Sequence, residues 1–187
     1  DGAICDVLLS CPVEDFATPL RNYNLLGDTV FDGVADAWRW TVEPPEGSAT
    51  PGPVDPDARN TYFYIDVSGD YRVTLEITVG GEVFTCTWIV HAVGTGLRVE
   101  LIWDTFGRVD LDLHLHRPDS TADWCDISDD CFYANCDDGE SPPWGYADST
   151  EGCPDGAPRC PNPRLDIDNI RGFDPENINI DNPNPSC

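Results

Sequence analysis

The sequence predicts an all-β protein of two β-sandwich units, Ig-like or jelly-roll-like, the second carrying a disulfide-rich loop insertion. Three observations carry this expectation. Runs such as "AWRWTV", "TYFYIDV", "YRVTLEITV" and "EVFTCTWIV" alternate apolar and polar residues, the period of a strand with one buried face. No helical period lasts beyond a turn or two. Nine cysteines are scattered through a chain with 16 Gly and 17 Pro, without the CxxC pairs of a zinc knuckle or a haem-attachment CxxCH. Such usage suits disulfides made outside the cytoplasm.

In residues 1–95, strand spacing places Trp38 and Trp40 on one face, and likewise Val73, Leu75 and Ile77. Phe84, Cys86, Trp88 and Val90 share another such face. Between these strands "PPEGSATPGPVDPDA" (44–58) is too rich in Pro and Gly to be anything but a long surface loop. His91, between Val90 and Ala92 near a strand end, is read as structural. Together "WRWTVEPPEGS" and "DVSGDYRVTLEITV" resemble the polycystic-kidney-disease (PKD) class of Ig-like domains. The resemblance implies a spacer or interaction module, with Tyr71 at the position of a tyrosine corner.

"GTGL" (94–97) reads as a short linker into a second unit, residues 96–187. Its strand candidates are "LRVELIWD", "VDLDLHLHRP" and "RLDIDNIRGFDPENINI". "DLDLH" followed by "PENI" resembles the YfaP-type domain of secreted bacterial proteins. Asp174 stands where that pattern usually has Gly, and the family normally continues with further strands. The resemblance therefore implies a sandwich whose last strands are missing or supplied elsewhere. It also makes His114 part of a motif, orienting a carboxylate or packing locally.

Between those motifs lies an insertion, 117–163, with Cys125, Cys131, Cys136, Cys153 and Cys160 and almost no periodicity. A segment without its own core needs staples, and two internal disulfides would provide them. One cysteine is left to reach outside, with Cys187 as its first candidate partner. Cys5, Cys11, Cys86 and Cys187 complete the odd set of nine, so one thiol is free or bonded elsewhere. The aromatics Trp124, Phe132, Tyr133, Trp144 and Tyr146 form either a small satellite core or a stacking platform for sugar or protein.

The formal charge of −25 excludes phosphate-backbone binding and attraction to anionic lipid. No apolar run approaches the roughly 20 residues that cross a bilayer, so membrane insertion is not expected. The absence of Met implies a processed product or a fragment, after removal of any signal peptide. Lys and Gln are also absent, and without Lys the Lys–Asn cross-links of some surface adhesins cannot form.

Read as a strand, "GRVDLDLHLHRPD" (107–119) puts Asp110, Asp112, His114 and His116 on one face. Val109, Leu111, Leu113 and Leu115 go to the other. "LDID" repeats the pattern with Asp166 and Asp168. If the two strands are neighbours, like charges about 4 Å apart repel by about 4 kcal/mol at an effective dielectric of about 20. A cation relieves this, and hard carboxylate oxygens suit Ca²⁺. Asp104 and Glu176 are placed to complete the shell. His114 and His116 form a secondary, HxH-type option for a transition metal. "DISDDCFYANCDDGE" alternates Asp126, Ser128 and Asp130 but lacks the Gly and Glu of a calcium loop.

No GxSxG, HExxH, P-loop or GxGxxG signature is present, and no organic cofactor is expected. The expected protein is a non-enzymatic, extracellular or cell-surface bacterial component, structural or adhesive, stiffened by Ca²⁺ and disulfides. It would belong to a surface assembly or filament, with a protein partner or a second copy joined through strand addition. The alternatives are a calcium-dependent carbohydrate-binding module using Trp124, Tyr133, Trp144 and Tyr146, and third a metal-dependent hydrolase.

Overall fold

The computed structural model describes residues 7–105, 107, 109–137, 139–150, 153 and 157–183. The protein is all-β, with one helical turn among the described residues. The chain divides into two compact units, the break falling at Val93–Gly94; residues 47–49 of the long loop group with the second.

The first unit contains β1 (Glu14–Ala17), β2 (Arg21–Leu26), a helical turn α1 (Gly27–Val30), β3 (Ala37–Glu43), β4 (Asn60–Ile65), β5 (Gly69–Val79) and β6 (Glu82–Ala92). They make a four-stranded sheet in the order β1-β6-β5-β3 and a two-stranded sheet of β2 with β4. β5 and β6 form a hairpin closed by Gly80 and Gly81, both at positive φ. Two successive left-handed residues match the right-handed twist of the flanking strands, and glycine adopts them without steric cost. The hairpin register sets Tyr71 opposite Val90, Val73 opposite Trp88, Leu75 opposite Cys86 and Ile77 opposite Phe84. Facing partners share a side of the sheet, so the alternation in both strands builds one apolar surface. Leu25, Phe63 and Ile65 from β2 and β4 join Trp40, Val73, Leu75, Ile77, Trp88 and Val90 in a single core. Each fully buried side chain of this size contributes about 1.5–3 kcal/mol.

Tyr71 is wholly buried and donates its hydroxyl hydrogen bond within the chain just upstream. The carbonyl of Val67 lies 3.0 Å from that hydroxyl and the Asp66 carboxylate 2.9 Å, while the Val67 N–H donates back at 3.2 Å. This is the hydrogen-bond pattern of a tyrosine corner. The Pro-rich loop is anchored to β3, where the Trp40 indole donates to Ala58 and the Trp40 N–H to Pro56.

A disulfide joins Cys11 to Cys86 across 75 residues of sequence. Closing so long a loop restricts the unfolded chain strongly, so replacing both cysteines by serine should cost about 2–5 kcal/mol. Urea unfolding of the oxidised wild type and the double variant, read through the first unit, checks this.

The second unit contains β7 (Leu97–Leu101), β8 (Leu115–His116), β9 (Asp130–Cys131), β10 (Arg164–Ile167) and β11 (Glu176–Ile180). β10, β11 and β7 form an antiparallel sheet in that order, and β8 pairs with β9. Gly96 precedes β7 at φ +75°, where a Cβ would collide with the Ile180 carbonyl. The expected long strand over 107–119 is reduced to the two residues of β8. Among the described residues no strand pairs with 109–114, and the Leu113 N–H donates to the Glu176 side chain. Val109 and Leu111, expected on the buried face, are each 40% exposed.

The insertion supplies part of the second unit's core. Cys131 and Cys136, joined to each other, pack with Leu165 and Ile178, and with Leu113, Leu115 and Trp144. The Leu165 N–H also bonds the Cys136 carbonyl. A second disulfide joins Cys153 to Cys160. The insertion thus holds two internal disulfides, and Cys125 is an exposed free thiol among the described residues. Cys5 and Cys187 lie outside the described residues, so the pairing expected for Cys187 is not described. No described helix is long and apolar enough to cross a membrane.

Candidate functional site

Three polar groupings mark the second unit. The first is acidic and centres on Glu176, the opening residue of β11, a strand buried along its whole length. Glu176 is 0% exposed, an expensive place for a carboxylate. One oxygen accepts the Leu113 N–H at 2.9 Å, and the other is buried with no hydrogen-bond partner among the described residues. Burial pushes its carboxyl up to about 7 against the pull of that N–H, and Asp168, Asp112 and Asp110 add to the rise. Asp168 is raised as well, by burial and then by Asp110, Asp137 and Asp112. Asp110, Asp112, Asp168 and Glu176 therefore crowd one another electrostatically, and Asp137 joins them from the insertion.

Two of the expected ligands stand apart from this cluster. Asp104 is exposed and is not among the carboxylates that load Glu176 or Asp168. Asp166 is turned into a buried network. The cause is a bulge in β10, where Leu165 faces Ile178 but Ile167 faces Asn177, so Asp166 has no partner of its own. Strict alternation, which would keep Asp166 beside Asp168, fails at that point.

The second grouping is this network. Arg164 is 3% exposed and reaches Asp166 with Nε at 2.6 Å. Its other nitrogens grip both oxygens of Asp181, at 2.7 and 3.2 Å. Asp181 also accepts from Thr95, Ser149 and Asn179. Asp166 takes the Asn177 amide at 3.0 Å and lies 3.6 Å from Arg98. Burial alone would raise the Asp181 carboxyl, but Arg164 and Ser149 outweigh it and hold it below its ordinary value. Arg164, Asp166 and Asp181 form an internal clamp between β10 and the segment after β11, while Arg98 Nη2 and Asn177 Oδ1 at its edge have no hydrogen-bond partner among the described residues.

The third grouping lies where β8 meets β9, a pairing that sets Leu115 opposite Cys131 and His116 opposite Asp130. His114 Nδ1 is 2.7 Å from the Asp130 carboxylate, and its ring stacks on Phe132 at 4.8 Å. His116 packs against Trp124 at 4.8 Å. Of the expected HxH pair, only His114 belongs to a close group of metal-capable donors, with Cys125 and Asp130. Asp126 serves as a local turn former, accepting the Ser128 N–H and hydroxyl, which hold its carboxyl below the usual range.

The four aromatics of the expected platform differ in exposure. Trp124 and Tyr133 are 65% and 51% exposed, beside the histidine rings and Phe132. Trp144 is half-buried against the core, with its indole N–H on the Ser128 carbonyl, and Tyr146 is half-buried too.

No protein-family model matches the chain, and no curated protein matches it. A crystal structure of a putative alpha-galactosidase from Bacteroides fragilis NCTC 9343 is similar over 56% of this chain and 23% of its own length. The identity is 19% and the TM-score 0.34.

Proposed function

We propose that this chain is a non-enzymatic secreted or cell-surface component, structural or adhesive, whose second unit is stiffened by a bound Ca²⁺. The observation that carries the reading is Glu176, a fully buried carboxylate with one unsatisfied oxygen, crowded by Asp110, Asp112 and Asp168. Without a cation that arrangement is costly; with one, the same oxygens become a ligand set of the kind Ca²⁺ accepts. Asp137 takes the place in that set first given to Asp166, and Asp104 is left out of it.

The disulfides support an oxidising location, and the PKD-like and YfaP-like resemblances support a spacer or interaction role in a bacterial surface protein. Assembly would proceed by strand addition. Among the described residues β3 and β7 each have a strand neighbour on one side only, and such edges can accept another chain. Light scattering under non-reducing conditions tests this. With Ca²⁺ present the expected mass exceeds the 20.6 kDa of one chain. A monomer with and without Ca²⁺ would remove the assembly claim.

A further inference from the structure

We propose that His114, Cys125 and Asp130 form a second metal site, separate from the acidic cluster, that takes a borderline-soft divalent cation such as Zn²⁺. The donor atoms of the three residues all lie within 4.8 Å of one another. Tetrahedral zinc bonds of about 2.0–2.3 Å set donors about 3.3–3.8 Å apart, a spacing inside that limit, and Cys125, the exposed member, is the one free to turn. The other two donors are already fixed. Stacking on Phe132 holds the His114 ring, and Asp130 is anchored by the Cys125 N–H at 2.8 Å and by its place in β9.

Asp130 supplies the observation that points to a ligand. It is 0% exposed, and while Oδ2 receives His114 and the Cys125 N–H, Oδ1 is buried with no hydrogen-bond partner among the described residues. A buried carboxylate oxygen left bare is costly, and a cation beside it removes the cost. The donor types choose the metal. A thiolate and an imidazole favour Zn²⁺ over Ca²⁺, whereas the all-oxygen cluster around Glu176 has the opposite preference. Three protein donors leave a fourth position open to water or an outside ligand. Cys125 sits at φ +70°, a strained backbone that presents its N–H to the Asp130 carboxylate.

This inference does not rest on the calcium reading, and its test uses a different signal. Oxidised full-length protein, folded but with Cys125 unblocked, is titrated with Co²⁺, a spectroscopic substitute for Zn²⁺. The expected result is a thiolate-to-cobalt absorption band with intense tetrahedral visible bands at one equivalent, abolished by Zn²⁺ and unmoved by excess Ca²⁺. Cys125→Ser, at an exposed position, should lose the band while keeping the wild-type circular dichroism. Zn²⁺ should also slow alkylation of Cys125 by about tenfold or more, because a metal-bound thiolate is a poor nucleophile. No band, a band that persists in Cys125→Ser, unslowed alkylation, or Cys125 found in a disulfide in the native protein would each overturn the proposal.

Discussion

Replacing Arg164 by Met should destabilise the second unit by about 3–5 kcal/mol, the cost of breaking a buried ion pair from one side. The guanidinium is the common partner of Asp166 and Asp181, and all three side chains are at least 96% removed from solvent, at 4%, 2% and 3% exposure. Met fills much of the same volume, so the loss reports on charge more than on a cavity. Lys in the same place restores the charge but not the fork that meets both Asp181 oxygens, so Arg164→Lys should recover only part of the loss. Acid gives a second reading. Asp181 is held below its ordinary 3.8, so its contribution is fully present above that value and is lost as pH falls through the lower folded-state value. The wild type should therefore shed this stability in strong acid, and Arg164→Met, lacking the partner, should show a flatter acid limb. Urea unfolding with amide exchange followed at β10 and β11 measures both.

Calcium should move stability by a comparable amount. At an ion concentration about 100 times the dissociation constant, linkage predicts about 2.7 kcal/mol, or roughly 10–20 °C in the melting temperature of a unit this size. Glu176→Gln separates this from a general salt effect because its sign reverses with the metal. In EDTA above pH 7, where the Glu176 carboxyl is charged, removing that buried charge relieves crowding with Asp110, Asp112 and Asp168, so the variant should melt above the wild type. In saturating Ca²⁺ the wild type should overtake it. Thermal melts of both proteins in EDTA, Ca²⁺ and Mg²⁺ check the crossover. Mg²⁺ should be the weaker stabiliser, because it dehydrates reluctantly.

The first unit's core was legible because β5 and β6 are long, regular and paired without interruption, so period-2 alternation alone places Val73, Leu75, Ile77, Cys86, Trp88 and Val90 inward. The acidic grouping around Glu176 is visible in the sequence by residue type and only partly by membership. Asp110, Asp112 and Asp168 load one another although 109–114 is not a strand and β10 ends at Ile167, while a single bulge sends the Asp166 side chain to Arg164. A one-residue irregularity leaves no trace in the hydrophobic pattern. Arg164 itself carries a signal in the composition. With only 10 basic residues against 35 acidic ones, each arginine beside a strand is a scarce counter-charge and a candidate for burial. Asp130, Asp137 and Cys125 were hidden for another reason. The insertion has no periodicity, and its place in the core follows from the Cys131–Cys136 bridge and the β8–β9 pairing, both tertiary facts.

Equilibrium dialysis of the full chain against Ca²⁺, with Glu176→Gln alongside, tests the central claim most directly. The account predicts one tightly held ion per chain in the wild type, and its loss or severe weakening in the variant. Absence of saturable Ca²⁺ binding in the wild type, or equal binding by both proteins, would contradict it.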